Sequence, residues 1–186
     1  MTGPATVGEG ERLRLFLALR LPEETLDAIE AWQRDRLQGV RLVPREQLHV
    51  TLAFLGSRPA DELEPIVRVL REAAARATSE IRLTPGRYRE TRSVGMVVLD
   101  DWEGRAGLLA DDLQTALEQL GVYRREKRPW LPHLTVARFR QRPQLQPEPP
   151  PARTFVPSGA AAYLSRLRPS GAQHELLESV ALGRPA

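Results

Sequence analysis

Two tetrapeptides of one pattern, His49-Val50-Thr51-Leu52 and His133-Leu134-Thr135-Val136, use two of the three histidines in a chain of 186 residues. Imidazole changes charge between about pH 5 and 8, so a pair can take a proton from one reacting atom and give one to another. Threonine adds a hydroxyl that can donate to an oxygen carrying developing negative charge. Side chains in a strand alternate between faces, so each tetrapeptide offers an imidazole and a hydroxyl on one face and two aliphatic anchors on the other. Two such units facing each other would form a pocket with two proton carriers and two hydroxyl donors. The histidines stand 84 positions apart, too far for a local ligand pair and suited to equivalent places in a duplicated fold.

The elements that must position them can be read from periodicity and punctuation. Arg12 to Leu19 alternates basic and apolar residues as a strand does, and Pro22 opens an amphipathic helical stretch to about Leu37, stopped by Gly39. Arg41 to Val43 is a short extended piece, Leu48 to Leu55 is the first motif strand closed by Gly56, and helical spacing returns from Pro59 to Ala77. The second half repeats this content. Ile81 to Tyr88 and Val94 to Leu99 read as strands, Arg105 to Leu120 as a helix ended by Gly121, and His133 to Phe139 as the second motif strand. Gln141 to Pro151 holds five prolines, too many for an element interior, and reads as a surface loop. Phe155 is a candidate start for the next strand, and Ala160 to Leu167 and His174 to Leu182 close the chain as strands joined by a turn at Pro169 to Gly171. This order predicts an α+β architecture: antiparallel sheet with helices packed outside.

Composition excludes several classes of function. The hydrophobic content of 41% in 186 residues supports a sizeable core. Cysteine is absent, which removes disulfides, thiolate metal sites and cysteine nucleophiles. Residues 1–11 lack a signal-peptide layout and read as a disordered lead-in before a single domain over 12–186, and the default location is cytoplasmic. Net charge is only +3, yet 26 of the 27 basic residues are arginine. Arg124, Arg125, Lys127 and Arg128 precede the second motif and Arg138, Arg140 and Arg142 follow it, a grouping that suits either an anionic substrate or a solvated surface.

With their flanks, the motifs resemble a known family. Leu13-Arg14-Leu15-Phe16-Leu17-Ala18-Leu19, Gln47-Leu48-His49-Val50-Thr51-Leu52-Ala53-Phe54-Leu55-Gly56 and Pro132-His133-Leu134-Thr135-Val136-Ala137-Arg138 look like the RNA 2′,3′-cyclic phosphodiesterases of bacteria and archaea, also called 2′-5′ RNA ligases, of the two-histidine phosphoesterase superfamily. The likeness runs from about Arg12 to Leu182. It implies two pseudo-symmetric lobes of antiparallel sheet with outer helices and a central active-site cleft. It further implies hydrolysis of RNA 2′,3′-cyclic phosphate ends to 2′-phosphomonoesters, with His49 as proton donor to O3′ and His133 as proton acceptor from water. Thr51, Thr135 and Arg138 would bind substrate. No metal or cofactor is expected, the partner is RNA with a 2′,3′-cyclic phosphate terminus, and a monomer is the default. Ligation through a 5′-hydroxyl would be the reverse reaction.

Residues at the edge of the resemblance carry weaker expectations. Arg138 lies five positions after His133, which in a flat strand puts it on the opposite face unless a bulge turns it inward. Phe54 and Phe139 read as core residues rather than base-stacking platforms. Trp130 suits a rim or a core lid equally. His174, where the family often has an aromatic residue, reads as structural or surface. Gly95-Met96-Val97 stands where relatives often carry a large side chain, which leaves the means of holding the base open. Competing readings are a metal pair, a non-catalytic RNA-end binder, and a relative acting on 2′-5′ oligonucleotides or nucleotide cyclic phosphates.

Overall fold

The computed structural model describes residues 11–151, 153–169 and 171–183, so the expected lead-in, apart from Glu11, lies outside the described residues. In chain order the elements are β1 (Arg12–Arg20), α1 (Glu23–Arg36), β2 (Arg41–Leu42), a 3-10 turn (Arg45–Gln47), β3 (Val50–Pro59), a second such turn (Ala60–Glu62), α2 (Leu63–Arg76), β4 (Thr84–Glu90), β5 (Val94–Asp100), α3 (Arg105–Gln119), β6 (His133–Arg138), β7 (Gly159–Arg168) and β8 (Gly171–Val180). Helix α1 starts after extended Pro22 and has Glu23 and Glu24 in its first turn and Arg34 and Arg36 in its last, the polarity that complements its dipole. Phe155 forms only an isolated bridge with Leu83.

The strands form one continuous antiparallel sheet in the order β4-β5-β6-β3-β1-β7-β8, with β2 also pairing β6. Two groups of strands, β4-β5-β6 and β3-β1-β7-β8, meet where β6 and β3 share a single pair, Val50 opposite Leu134. These are the residues after the two motif histidines. The same seam therefore joins the lobes and brings the motifs together. The core runs behind both lobes without a break, from Leu15, Leu17 and Leu52 through Ile66 and Leu70 to Leu113, Leu117 and Leu134.

Strand β3 runs past Gly56 to Pro59, longer than its sequence suggests. Gly56 adopts φ +68, a left-handed conformation open to glycine, and lies at a register shift opposite Leu15 and Phe16, so it bends the strand instead of ending it. The proline-rich loop is anchored. Buried Glu90 accepts from the backbone N–H groups of Gln144 (3.0 Å) and Leu145 (2.9 Å) and from Arg142 Nε (3.2 Å), and Trp32 Nε1 donates to the Glu148 carbonyl (2.9 Å).

Candidate active site

Both tetrapeptides show the alternation their sequences imply. His49, Thr51, His133 and Thr135 are partly open, while Val50, Leu52, Leu134 and Val136 are buried. Because β3 and β6 run antiparallel through the Val50–Leu134 pair, the next positions place His49 toward Thr135 and Thr51 toward His133. Each imidazole thus faces the hydroxyl of the other motif.

The histidines are oriented alike. His49 Nδ1 lies 2.7 Å from the Gln47 carbonyl and His133 Nδ1 lies 2.8 Å from the Leu131 carbonyl, each two residues upstream. A carbonyl only accepts, so Nδ1 carries the proton in both rings and the Nε2 lone pair is left for chemistry. His49 is held to about 4, first by desolvation and then by the charge of His174, against the raising effect of the Gln47 bond; His133 and Arg138 lower it further. In the free protein at neutral pH its imidazole is therefore uncharged.

A bulge falls at the last residue of each motif. In the β6–β5 ladder Thr135 opposes Met96 and Ala137 opposes Gly95, leaving Val136 as an extra residue; in the β3–β1 ladder Thr51 opposes Ala18 and Ala53 opposes Leu17, leaving Leu52 extra. Two consecutive buried residues result in each strand, Val136-Ala137 and Leu52-Ala53. Alternation then resumes one position out of phase. Arg138 accordingly returns to the face of His133 and Thr135, and its charge reaches both His49 and His174. Its counterpart in the first motif is Phe54. The expectation that Phe54 packs in the core is wrong: its side chain is 46% exposed, with the Arg14 guanidinium carbon 4.7 Å from the ring centroid. Phe139, the other aromatic expected in the core, is only partly buried and lies outside the core cluster.

Two residues that sequence reasoning missed complete the bulges. Gln33 of α1 is buried and donates to the carbonyls of Val136 (2.7 Å) and Val43 (3.0 Å), and buried Gln114 of α3 donates to the Leu52 carbonyl (2.8 Å). Each glutamine serves the bulged residue of the other half of the chain, where the ladder is broken, and the Val136 carbonyl accepts from the Val43 N–H (3.0 Å) as well. The available signal was a lone glutamine on the apolar side of each helix, beside Ile29 and Trp32 or beside Leu113 and Leu117.

The surroundings of the two histidines differ. A cavity of about 450 Å³ opens beside His133, with Thr51, Phe54, Met96, Tyr123 and Trp130 among its walls and Arg89 and Arg128 at its border. Trp130 is both wall and brace, since its Nε1 donates to the Thr51 carbonyl (2.9 Å). Met96, from the Gly95-Met96-Val97 segment, is the part of that segment that reaches the cavity. His49 instead sits in a cluster of rings: Phe16 at 4.8 Å, His174 at 5.3 Å and Tyr163 at 6.1 Å between centroids. His174, expected to have a structural or surface role, packs its ring against His49 and Phe16. Among the described residues no three His, Cys, Asp or Glu side chains are grouped so that they could hold a metal ion, and no helix is long and apolar enough to cross a membrane.

Comparison with known proteins agrees with this geometry. The family model of the 2′-5′ RNA ligase superfamily matches residues 21–172. A Thermus thermophilus protein named RNA 2′,3′-cyclic phosphodiesterase is 34% identical over 182 residues, spanning 91% of this chain and 90% of that protein. A crystal structure of a protein from the same organism superposes with a TM-score of 0.75 at 30% identity, covering 92% of this chain and 98% of that one. That of E. coli LigT complexed with NADP+ gives 0.76 at 25% identity, covering 94% and 100%. Paired histidine motifs meeting at one seam, a sheet of this order and a match across most of the chain lead to one assignment: the protein belongs to the 2′-5′ RNA ligase superfamily.

Proposed function

We propose that the protein hydrolyses RNA 2′,3′-cyclic phosphate ends to 2′-phosphomonoesters by acid and base catalysis between His49 and His133, without a metal. The observation that carries this reading is the pair of imidazoles with Nδ1 tied to a carbonyl, leaving Nε2 of each for proton transfer on the seam between lobes. The phosphate sits between the rings. His133 Nε2 takes a proton from water as the water oxygen bonds to phosphorus, the P–O3′ bond breaks opposite, and O3′ takes the proton of His49. Thr51 and Thr135 donate to the non-bridging oxygens, and Arg138 balances their charge. The arriving anion also offsets the positive charge of Arg138, one of the influences that lower His49, so binding favours the protonated acid.

The nucleoside enters the cavity beside His133, where the Phe54 ring offers a stacking face and Arg89 and Arg128 face the rest of the strand. A 5′-hydroxyl in place of water would give a 2′-5′ linkage from the same geometry. The sequence relatives named RNA 2′,3′-cyclic phosphodiesterase support the substrate class. Incubation of chelator-treated protein with an RNA oligomer ending in a 2′,3′-cyclic phosphate should yield the 2′-phosphate at full rate. A 3′-phosphate product, or a rate restored only by added metal, would refute the proposal.

One observation favours exchanged roles: His49, uncharged in the free protein, is poised as an acceptor. A substrate whose O3′ is replaced by sulfur needs no acid, since a thiolate leaves unprotonated. Retained turnover of this analogue by His49→Ala, but not by His133→Ala, marks His49 as the donor; the opposite result exchanges the roles.

A further inference from the structure

We propose that His174 is a positioning residue for His49: its ring edge fixes the plane of the His49 imidazole, and the two rings hold at most one positive charge between them. The proposal rests on His49 being one of the proton carriers. The His174 ring meets His49 edge-on (5.3 Å, 68°) and Phe16 edge-on (4.7 Å, 67°), while His49 lies tilted over Phe16 (4.8 Å, 31°). Three rings therefore brace one another, and Phe16 is itself stacked on Tyr163 at 5.0 Å and 12°. Such edge-to-face contacts fix ring orientation as well as burying area.

The backbone reinforces the clamp. Gln47, whose carbonyl accepts from the His49 Nδ1–H, donates from its side-chain amide to the carbonyl of Ala172 (2.7 Å), two residues before His174. One residue thus ties both histidines to a common frame. His174 Nδ1 is buried with no hydrogen-bond partner, so nothing stabilises a proton on that atom. The charge of Arg138 from β6 acts on both rings, and Arg41 from β2 lies against Gly171 at the start of β8. Tyr163 from β7 contributes a phenol whose own ionisation burial opposes.

Two unit charges at 5.3 Å disfavour double protonation on the order of a hundredfold at an effective dielectric of about 20. Desolvation and Arg138 hold His174 below its ordinary value, and the charge of His174 in turn lowers His49, so the two rings compete for a proton.

The test is an imidazole NMR titration of the full chain, whose three histidines are few enough to assign by substitution, joined to the pH profile of kcat/KM for cyclic phosphate hydrolysis. Substitution H174F keeps the ring and removes the charge; H174Q repeats the measurement should H174F fail to fold. The expected result is a rise of at least about half a pH unit in the His49 midpoint, with the limb of the profile that follows His49 moving by the same amount. A smaller rise, or an unchanged profile in a folded variant that hydrolyses substrate, overturns the proposal. If the wild-type chain hydrolyses no cyclic phosphate, the proposed reaction fails, while the titration still reads the coupling of the two rings.

Discussion

Each proton carrier is defined by what surrounds it, and the two differ although their motifs match. Burial and cationic neighbours hold His49 to about 4, well below the ordinary 6.5. The folded state then binds fewer protons than the unfolded state between these values. Its contribution to stability is complete above about pH 6.5, declines as pH falls toward 4 and is absent below. At most about 3 kcal/mol is involved, less where the ring opens to the cleft. Denaturant titrations across that window should show a steeper loss of stability in wild type than in His49→Gln. The hydroxyls act differently. Thr51→Val or Thr135→Val should leave the melting temperature nearly unchanged and lower kcat by about 1–3 kcal/mol of transition-state stabilisation, read from initial rates.

Among the elements, the bulges do most to build the site, because they turn Arg138 and Phe54 onto the histidine face. Each depends on a glutamine from a helix of the other half. Substitution Gln33→Leu removes two buried hydrogen bonds, leaving the Val136 carbonyl with the Val43 N–H (3.0 Å) alone, and should cost about 1–3 kcal/mol by denaturant unfolding. It should also weaken substrate binding through Arg138, seen as a raised KM. Gln114→Leu should act likewise through Leu52 and Phe54. The loop anchor is separable from catalysis: Glu90→Ala strips the partners of Gln144, Leu145 and Arg142 and should destabilise by about 2–4 kcal/mol with kcat preserved in the folded fraction. Thermal melts and initial rates on the same preparation check both effects.

Considered whole, the molecule is two groups of strands on one continuous core, with β3 and β6 meeting at one residue pair and α1 and α3 each reaching across to the opposite motif strand. Much of this was legible in the sequence. The motif strands, the three helices, the loop after β6 and the paired histidines follow from alternation, helical spacing and proline content, all local signals. The bulges were not, because Leu52-Ala53 and Val136-Ala137 look like any apolar pair until a ladder shows which residue lacks a partner. Nor was the place of His174, which arises from the pairing of Ser165 with His174 on the last hairpin and the packing of that hairpin beside Phe16. A positional alternation rule also sent Arg138 to the wrong face unless a bulge intervened, and one does. Long-range pairing, invisible in any window of sequence, supplied each of these differences.

The central claim is that His49 and His133 act on a single phosphorus atom. Single-turnover hydrolysis of a cyclic-phosphate-ended RNA, followed by phosphorus NMR, tests it most directly in wild type, His49→Ala and His133→Ala. The expected result is conversion to the 2′-phosphate by wild type and a loss of on the order of a hundredfold or more in each variant, with folding intact. Wild-type rates in either variant would contradict it.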